Sequence, residues 1–260
     1  MDRQPEPTPR VPREEARRRL LAAGGTLLAL ALLAGCGQSA DLAGSEAGAE
    51  EKTYGDVPEL LIVEVDDADL EIVPHEAEQI RVVREETGNA GGDWELTGDT
   101  LELKMDCGTF SDCRVRYEVF VPADTALSVE TDNGDVSVSG FSAPAEVRSG
   151  NGTVAVSDVT GPLTLTSGNG DMNLSGIGSE SLSAATDNGT IDAVFSEAPA
   201  EVEVSTNNGA ATLALPGGPY AVFETFDDGE VVNELPSDDT STSTVTARTD
   251  NGTITLVPTS

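Results

Sequence analysis

An Asn-Gly pair recurs through the second half of this chain at a nearly constant interval, between short runs of alternating apolar and polar residues. Successive pairs lie 18 to 23 residues apart when Asp228-Gly229 is counted as one of them. A fixed period of this length is typical of solenoids and other stacked repeats. The pairs are Asn133-Gly134, Asn151-Gly152, Asn169-Gly170, Asn188-Gly189, Asn208-Gly209 and Asn251-Gly252.

Each repeat unit reads as two short strands joined at Asn-Gly, since both residues tolerate a positive φ. Two architectures fit this pattern: an array of antiparallel hairpins with tight turns, or a solenoid whose coils stack through parallel strands. The constant interval favours the solenoid, because a coil must cover a fixed perimeter. We therefore predict an all-β fold, a parallel β-solenoid or β-helix with Asn-Gly corners. Each unit stacks on the one before, and the asparagines hydrogen-bond as a ladder along the axis.

The residues before the repeats predict further strands. Between residues 60 and 121 five runs alternate with a period of two, and no window of the folded part is amphipathic with a helical period. We expect these N-terminal strands to cap the solenoid. The domain prediction is a single β-solenoid over residues 54–260, with its repeats at about 127–258.

The N-terminus has the pattern of an export signal. Several arginines precede residues 20–33, an uncharged and mostly apolar run that is followed by small residues. Fourteen residues would extend about 21 Å as a helix, which is short of the ~30 Å hydrocarbon core of a bilayer. We predict a signal peptide over residues 1–35. A twin-arginine route and the general secretory route both remain open.

The stretch Leu33-Ala34-Gly35-Cys36 resembles the lipobox of bacterial lipoproteins. That resemblance implies acylation of Cys36, with palmitate among the acyl groups, as the first residue of the mature protein. Residues 36–53 are rich in Gly, Ala, Ser and Glu and predict a flexible acidic tether. The expected location is outside the cytoplasm, extracellular or periplasmic, with the lipid on the outer face of a bacterial membrane.

The other two cysteines, Cys107 and Cys113, form a candidate pair. Exported proteins meet an oxidising compartment, and the small residues between the two make a pliable loop, so we predict a disulfide. A metal or redox site is the alternative. It is disfavoured because His75 is the sole histidine and no second pair of cysteines exists.

The charge of the chain excludes some partners. The formal net charge is -33, which would repel nucleic acid and anionic lipid headgroups. Aromatic residues make up only 4% of the chain, so a platform for stacking sugars is not expected. The membrane is expected as a partner through the lipid alone, and a surface protein or glycan stays open.

The repeats resemble those of a bacterial putative-adhesin domain family of unknown function, in which apolar-x-apolar-x-Thr-x-Asn-Gly-x-apolar units recur. The likeness covers roughly residues 54–258. It implies a β-solenoid and a surface location, and it brings no catalytic residues. Ala210-Ala211 and Asp227-Asp228-Gly229 depart from the pattern. The longer last interval predicts a bulging loop or a less regular cap.

An enzyme is the weaker interpretation. Some β-helical enzymes use carboxylates on one face to cut polysaccharides, and Asp132, Asp135, Asp171 and Asp187 are candidates for such a face. No nucleophile pattern surrounds His75. We predict a non-enzymatic adhesion, scaffold or envelope-interaction module, with a carbohydrate-active enzyme or an accessory protein of an envelope sensing system as alternatives. No cofactor is expected; structural calcium at the Asp- and Asn-rich corners is the one alternative.

Overall fold

A computed structural model describes residues 49–88, 90–108 and 113–259, and all of these belong to one compact unit. Within these ranges the chain is all β, and no helix is long and apolar enough to cross a membrane. The strands are β1 (Ala49–Tyr54), β2 (Leu60–Val65), β3 (Asp69–Pro74), β4 (Ile80–Thr87), β5 (Ala90–Gly91), β6 (Trp94–Thr97), β7 (Thr100–Leu103), β8 (Asp106–Cys107), β9 (Arg114–Val121), β10 (Ala126–Thr131), β11 (Val136–Ser139), β12 (Ala145–Asn151), β13 (Val154–Ser157), β14 (Leu163–Asn169), β15 (Met172–Ile177), β16 (Ser181–Asn188), β17 (Ile191–Phe195), β18 (Glu201–Leu215), β19 (Ala221–Phe226), β20 (Glu230–Asn233) and β21 (Thr244–Pro258).

Two parallel ladders form the two faces of a solenoid. One face runs β7, β2, β10, β12, β14, β16, then the first halves of β18 and β21, then β19. The other face runs β9, β3, β11, β13, β15, β17, then the second halves of β18 and β21, then β20. The predicted parallel β-solenoid is confirmed. The hairpin alternative is wrong, because the two strands of a repeat pair with neighbouring coils and not with each other.

The interior is filled by apolar side chains that stack in columns between the two faces. Val129 aligns with Val147 on the next coil, and on the other face Val138 aligns with Val156. All four are buried, and the residues between them in each strand point outward and are polar or small. Alternation along each strand therefore places every second side chain in the core. Larger residues fill the edge opposite the Asn-Gly corners, where Phe141, Val159, Ile177 and Phe195 are buried.

The first coil of the stack is not made by the first strands of the chain. Strands β2 and β3 form a coil that lies between the coil of β7 and β9 and the coil of β10 and β11. Its corner is Asp66-Asp67-Ala68, which contains no Asn-Gly pair and was not predicted as a repeat. The second coil of the stack is therefore formed by an earlier part of the sequence than the outermost coil.

The last coil is also inserted. Strand β21 pairs with β18 on one side and with β19 and β20 on the other. The prediction that each unit stacks on the one before is wrong at this end, because the Asn251 corner lies between the Asn208 corner and the Asp228 corner. The long last interval thus contains a connection, residues 234–243, that returns the chain by one coil.

Antiparallel strands close the N-terminal end. Of the five N-terminal runs that the sequence predicts as a cap, only β4 lies there, because β2, β3, β7 and β9 form coils of the solenoid. Strand β6 pairs with β7, β4 pairs with β9, and β1 pairs with β4 at the outer edge. The predicted tether is too long, because residues 49–53 belong to β1 and are hydrogen-bonded to β4. Strand β1 has no alternation of apolar residues that would predict it, because its four central residues are exposed, and its charged residues suit an exposed edge.

Candidate functional site

The asparagine corners form one continuous row of hydrogen-bonded side chains. Each amide Nδ2 donates to the Oδ1 of the corner residue on the preceding coil, at 2.6 to 3.2 Å. The row connects Asn251, Asn208, Asn188, Asn169, Asn151, Asn133 and finally Asp67. The predicted ladder is therefore present, and it has a fixed direction that ends on a carboxylate. Asp67 is the member that sequence reasoning missed.

The corner glycines are required by close packing more than by backbone conformation. Only Gly134 and Gly152 among them have φ in the left-handed region, at 115° and 107°. At each of the six Asn-Gly corners a Cβ atom would overlap the carbonyl oxygen of the corner residue on the preceding coil. The predicted reason, positive φ at both residues, is therefore wrong for the asparagines and for four of the glycines. Glycine is required at these corners because the backbones of adjacent coils are in contact there.

A second row, of buried hydroxyls, lies just inside the corners. Thr131 and Ser149 each donate to the carbonyl oxygen of the corner asparagine two residues later, at 3.1 and 3.2 Å. Among the described residues, the buried hydroxyls of Ser167, Thr206 and Thr249 have no hydrogen-bond partner. A Thr or Ser precedes each Asn-Gly pair by two positions, and its hydroxyl bonds the corner carbonyl oxygen at the first two corners.

The carboxylates considered for catalysis are spread along the stack and take part in its hydrogen bonds. Asp135 and Asp171 each accept from a backbone N–H of the following coil, at 2.8 Å. They lie two coils apart, with Thr153 between them. The carboxylate of Asp187 accepts from Asn207 at 2.8 Å. The corner of Asp132 is three coils from that of Asp187, so the four do not form one cluster.

The three cysteines divide as follows. Cys107, the last residue of β8, and Cys113, directly before β9, form a disulfide whose Cα atoms are 5.9 Å apart. Cys36 and the rest of the predicted signal and tether up to residue 48 lie outside the described residues.

The side chains of Arg84 and Tyr117, near the N-terminal cap, have specific hydrogen-bond partners. The guanidinium of Arg84, which is only 5% exposed, donates to the carbonyl oxygen of Gly91 at 2.9 Å and pairs with Glu86 at 3.1 Å. The Tyr117 hydroxyl donates to the carbonyl oxygen of Lys104 at 2.9 Å. Burial raises the pKa of Tyr117 to about 12, because the phenolate would lose its hydration.

The one tryptophan and the one histidine of the chain both have structural contacts. Trp94 is buried against Tyr117, and the Lys52 ammonium lies 4.2 Å from the centre of its ring. His75 lies in a turn, with Nε2 at 2.6 Å from the carbonyl oxygen of Gln79 and its ring beside Phe120. In the described part of the chain, no group of three or more His, Cys, Asp or Glu residues could hold a metal ion.

The C-terminal end of the solenoid is uncovered, whereas antiparallel strands cover the N-terminal end. Strands β19 and β20 each pair only with β21 among the described residues. On the opposite side of β19 a single parallel bridge joins Tyr220, the residue before the strand, to Ser237, and the edge from Val222 to Phe226 is free of any strand that the structure describes. Five large apolar side chains are exposed in the described ranges, and three of them lie here. They are Phe223 at 57%, Phe226 at 50% and Val232 at 37%. The sequence indicated only an irregular cap at this end.

The repeats, the corner ladder and the antiparallel N-terminal cap together define the fold as a parallel β-solenoid. The chain belongs to the Toastrack DUF4097 family, whose model matches residues 121–257. Among solved structures, it is similar to a putative cell adhesion protein from Clostridium sporogenes, with 11% identity, 81% of this chain and 100% of that chain covered, and a TM-score of 0.34. A putative adhesin from Bacteroides fragilis is similar at 11% identity, with 82% and 98% covered and a TM-score of 0.38. No curated protein matches the chain.

Proposed function

We propose that this protein is a lipid-anchored, extracytoplasmic module that acts by binding and not by catalysis. The observation that carries the proposal is the corner ladder, in which side chains of Asn133 to Asn251 are hydrogen-bonded to one another. Those amides and the carboxylates beside them stabilise the stack, so they are already used structurally. A rigid rod with an acidic surface suits adhesion or scaffolding at the cell envelope.

The proposed anchor rests on the N-terminal sequence. The arginine-rich and apolar segment before Cys36 supports export, and the lipobox-like residues support acylation of that cysteine. The disulfide between Cys107 and Cys113 supports an oxidising compartment. Two or more acyl chains on one residue give stable membrane attachment, which a single chain does not.

Residues 37–48 would separate the acylated cysteine from strand β1. Twelve residues span at most about 40 Å when fully extended. The net charge of -33 would favour that separation, because anionic headgroups repel an acidic domain. The proposed protein therefore holds its solenoid away from the bilayer and toward partners on other surfaces.

We propose further that binding requires no cofactor. Asp135, Asp171 and the corner asparagines offer oxygen atoms that already accept hydrogen bonds from the protein, which supports this view over structural calcium. Calorimetric titration of the purified protein with millimolar calcium should give no binding heat. A saturable heat would assign the corners to calcium instead.

Intact mass of the protein extracted from membranes of a bacterial host tests the anchor. The mature chain should begin at Cys36 and carry at least a diacylglycerol, and Cys36→Ala should lack that increment. Cells that display the wild-type chain should attach to a surface or to other cells more than cells that carry Cys36→Ala. A lipid-free wild-type chain would overturn the anchor, and equal attachment would overturn the adhesive role.

A further inference from the structure

The open end of the solenoid presents unpaired main-chain groups. Ala221 N–H donates to the Ser243 carbonyl oxygen and Asp227 N–H donates to that of Thr249. Main-chain groups of successive residues in an extended strand point to opposite sides. The N–H and C=O groups of Val222, Glu224 and Phe226 therefore point away from β21, along the solenoid axis, where the next coil would lie.

The side chains of the same residues continue the interior columns of the solenoid. Val222 aligns with Val245 and Phe226 aligns with Thr249, and both partners are fully buried. Between them Glu224 aligns with buried Ala247, and Glu224 itself is exposed because no coil follows. Another strand on this edge would thus cover two apolar positions with a carboxylate between them.

The charge at this end distinguishes the possible occupants. Residues 221–243 contain seven Asp or Glu residues and no Lys or Arg. A second copy docked end to end would bring two such sets of carboxylates together, which costs free energy. Antiparallel strands already cover the opposite end, where the edge strand β1 carries Lys52 and glutamates that discourage further pairing.

We propose that the β19 edge is a docking site for an extended segment of another protein, which adds to the sheet as one more strand. The segment that fits has an apolar-x-basic-x-apolar pattern. Its apolar residues would cover Val222 and Phe226, and its Lys or Arg would pair with Glu224. Main-chain hydrogen bonds supply affinity in this mode, and the alternate side chains supply selectivity. The inference deepens the proposed binding role and rests on it.

The test uses the purified full-length chain and a fluorescent peptide, Thr-Val-Thr-Lys-Thr-Val-Thr, with the same peptide carrying Glu in place of Lys as control. Glu224→Pro removes the free N–H without removing a hydrogen bond to β21, and Glu224→Gln removes only the charge. Binding is measured by fluorescence anisotropy. Circular dichroism and thermal melting check that each variant is folded.

We expect the Lys peptide to bind more tightly than the Glu peptide. Glu224→Gln should weaken it about two- to fivefold, and Glu224→Pro at least about tenfold, because the variant also loses a main-chain donor. Phe226→Ser should weaken it as well, and this variant keeps the test decisive if Glu224→Pro does not fold, because the Phe226 side chain is half exposed.

Three results would overturn the proposal. In the first, the wild-type chain does not bind the Lys peptide. In the second, Glu224→Gln and Glu224→Pro lose the same amount of affinity for that peptide. In the third, the wild-type chain self-associates in sedimentation experiments and Glu224→Pro abolishes that association, which would assign the edge to a second copy. None of these measurements depends on the lipid anchor or on cell attachment, so a failure here is distinct from a failure of the proposed function.

Discussion

The side-chain amide of Asn133 donates a hydrogen bond of 2.6 Å to the carboxylate of Asp67, which lies 66 residues earlier in the chain. This contact joins the corner ladder to a coil that contains no Asn-Gly pair. Because all the amides donate toward Asp67, the row has one direction and ends on a charged acceptor. Hydrogen bonds to charged acceptors are stronger than those between neutral groups.

Replacing a residue in the middle of the ladder should destabilise the solenoid. Asn169→Ala removes one hydrogen bond donated to Asn151 and one accepted from Asn188, so the free energy of unfolding should fall by about 1 to 2 kcal/mol. Chemical denaturation measures the change. Asn173→Ala, at an exposed position on β15, is the matched control and should change stability by less than about 0.5 kcal/mol. Equal effects would mean that the ladder adds nothing to stability.

A methyl group at a corner glycine should be costly. In Gly189→Ala the Cβ would overlap the carbonyl oxygen of Gly170, so we expect a loss of at least about 2 kcal/mol from displaced backbone. Gly55→Ala is the control, because no atom lies within 4 Å of its Cβ position. Thermal melting compares the two, and similar melting temperatures would contradict the close approach of the coils.

Removal of residues 244–260 tests the order of the last coils. The truncated chain lacks β21, on which both β19 and β20 pair. Hydrogen exchange at β19 and β20 should therefore become fast, since neither strand keeps a ladder partner. A chain that ends at Pro258 should exchange like the full-length protein. Native protection of β19 in the shorter chain would show that it stacks directly on β18.

A charge in the interior should be far more harmful than the same charge one residue away. Val154 is fully buried, so Val154→Asp should lower the free energy of unfolding by about 3 kcal/mol or more. The control is Ala155→Asp on the same strand, where the side chain points outward and is half buried. Thr153 would be a poor control, because Asp135 and Asp171 flank its position. Equal losses for Val154→Asp and Ala155→Asp would contradict the inward and outward assignment.

Burial of Tyr117 predicts a loss of stability at high pH. Its pKa is about 12 in the folded protein and about 10 in an unfolded chain, so the folded state keeps its proton longer. The contribution to stability is complete below pH 10 and is lost as the pH rises to about 12, which amounts to about 2 to 3 kcal/mol.

Denaturation of the wild-type chain and of Tyr117→Phe from pH 8 to pH 12 measures this difference. The variant should be less stable by about 1 kcal/mol below pH 10, because it lacks the hydrogen bond to the Lys104 carbonyl oxygen. Near pH 12 the variant should be more stable than the wild-type chain. Parallel curves for the two chains would contradict the elevated pKa.

Much of the fold follows from local patterns in the sequence. Alternation predicted which face of each strand is buried, as Val129 and Val147 illustrate, and the Asn-Gly interval predicted the corners and their ladder. These features depend on residues that are neighbours along the chain or one coil apart. The hydroxyl two positions before each corner was visible in the same pattern, but its role needed the interior geometry.

Other parts of the candidate site had only weak signals. Asp67 occupies the position of a corner asparagine, and the apolar residues on either side of it match those of the repeats, yet Ala68 replaces the glycine. The free edge at Phe223 and Phe226 had no signal at all, because an exposed apolar residue on an end coil looks like a core residue in the sequence.

The all-β class, the solenoid period, the Asn-Gly corners and the burial of one side of each repeat strand follow from residue patterns along the chain. The order of the coils at both ends is visible only in the folded protein. The coil of β2 and β3 lies between that of β7 and β9 and that of β10 and β11, and β21 lies between β18 and β19. The physical reason is that a repeat period measures the perimeter of a coil, whereas any free strand edge can accept any coil of the same perimeter. Which edges pair is settled by the packing of the whole stack.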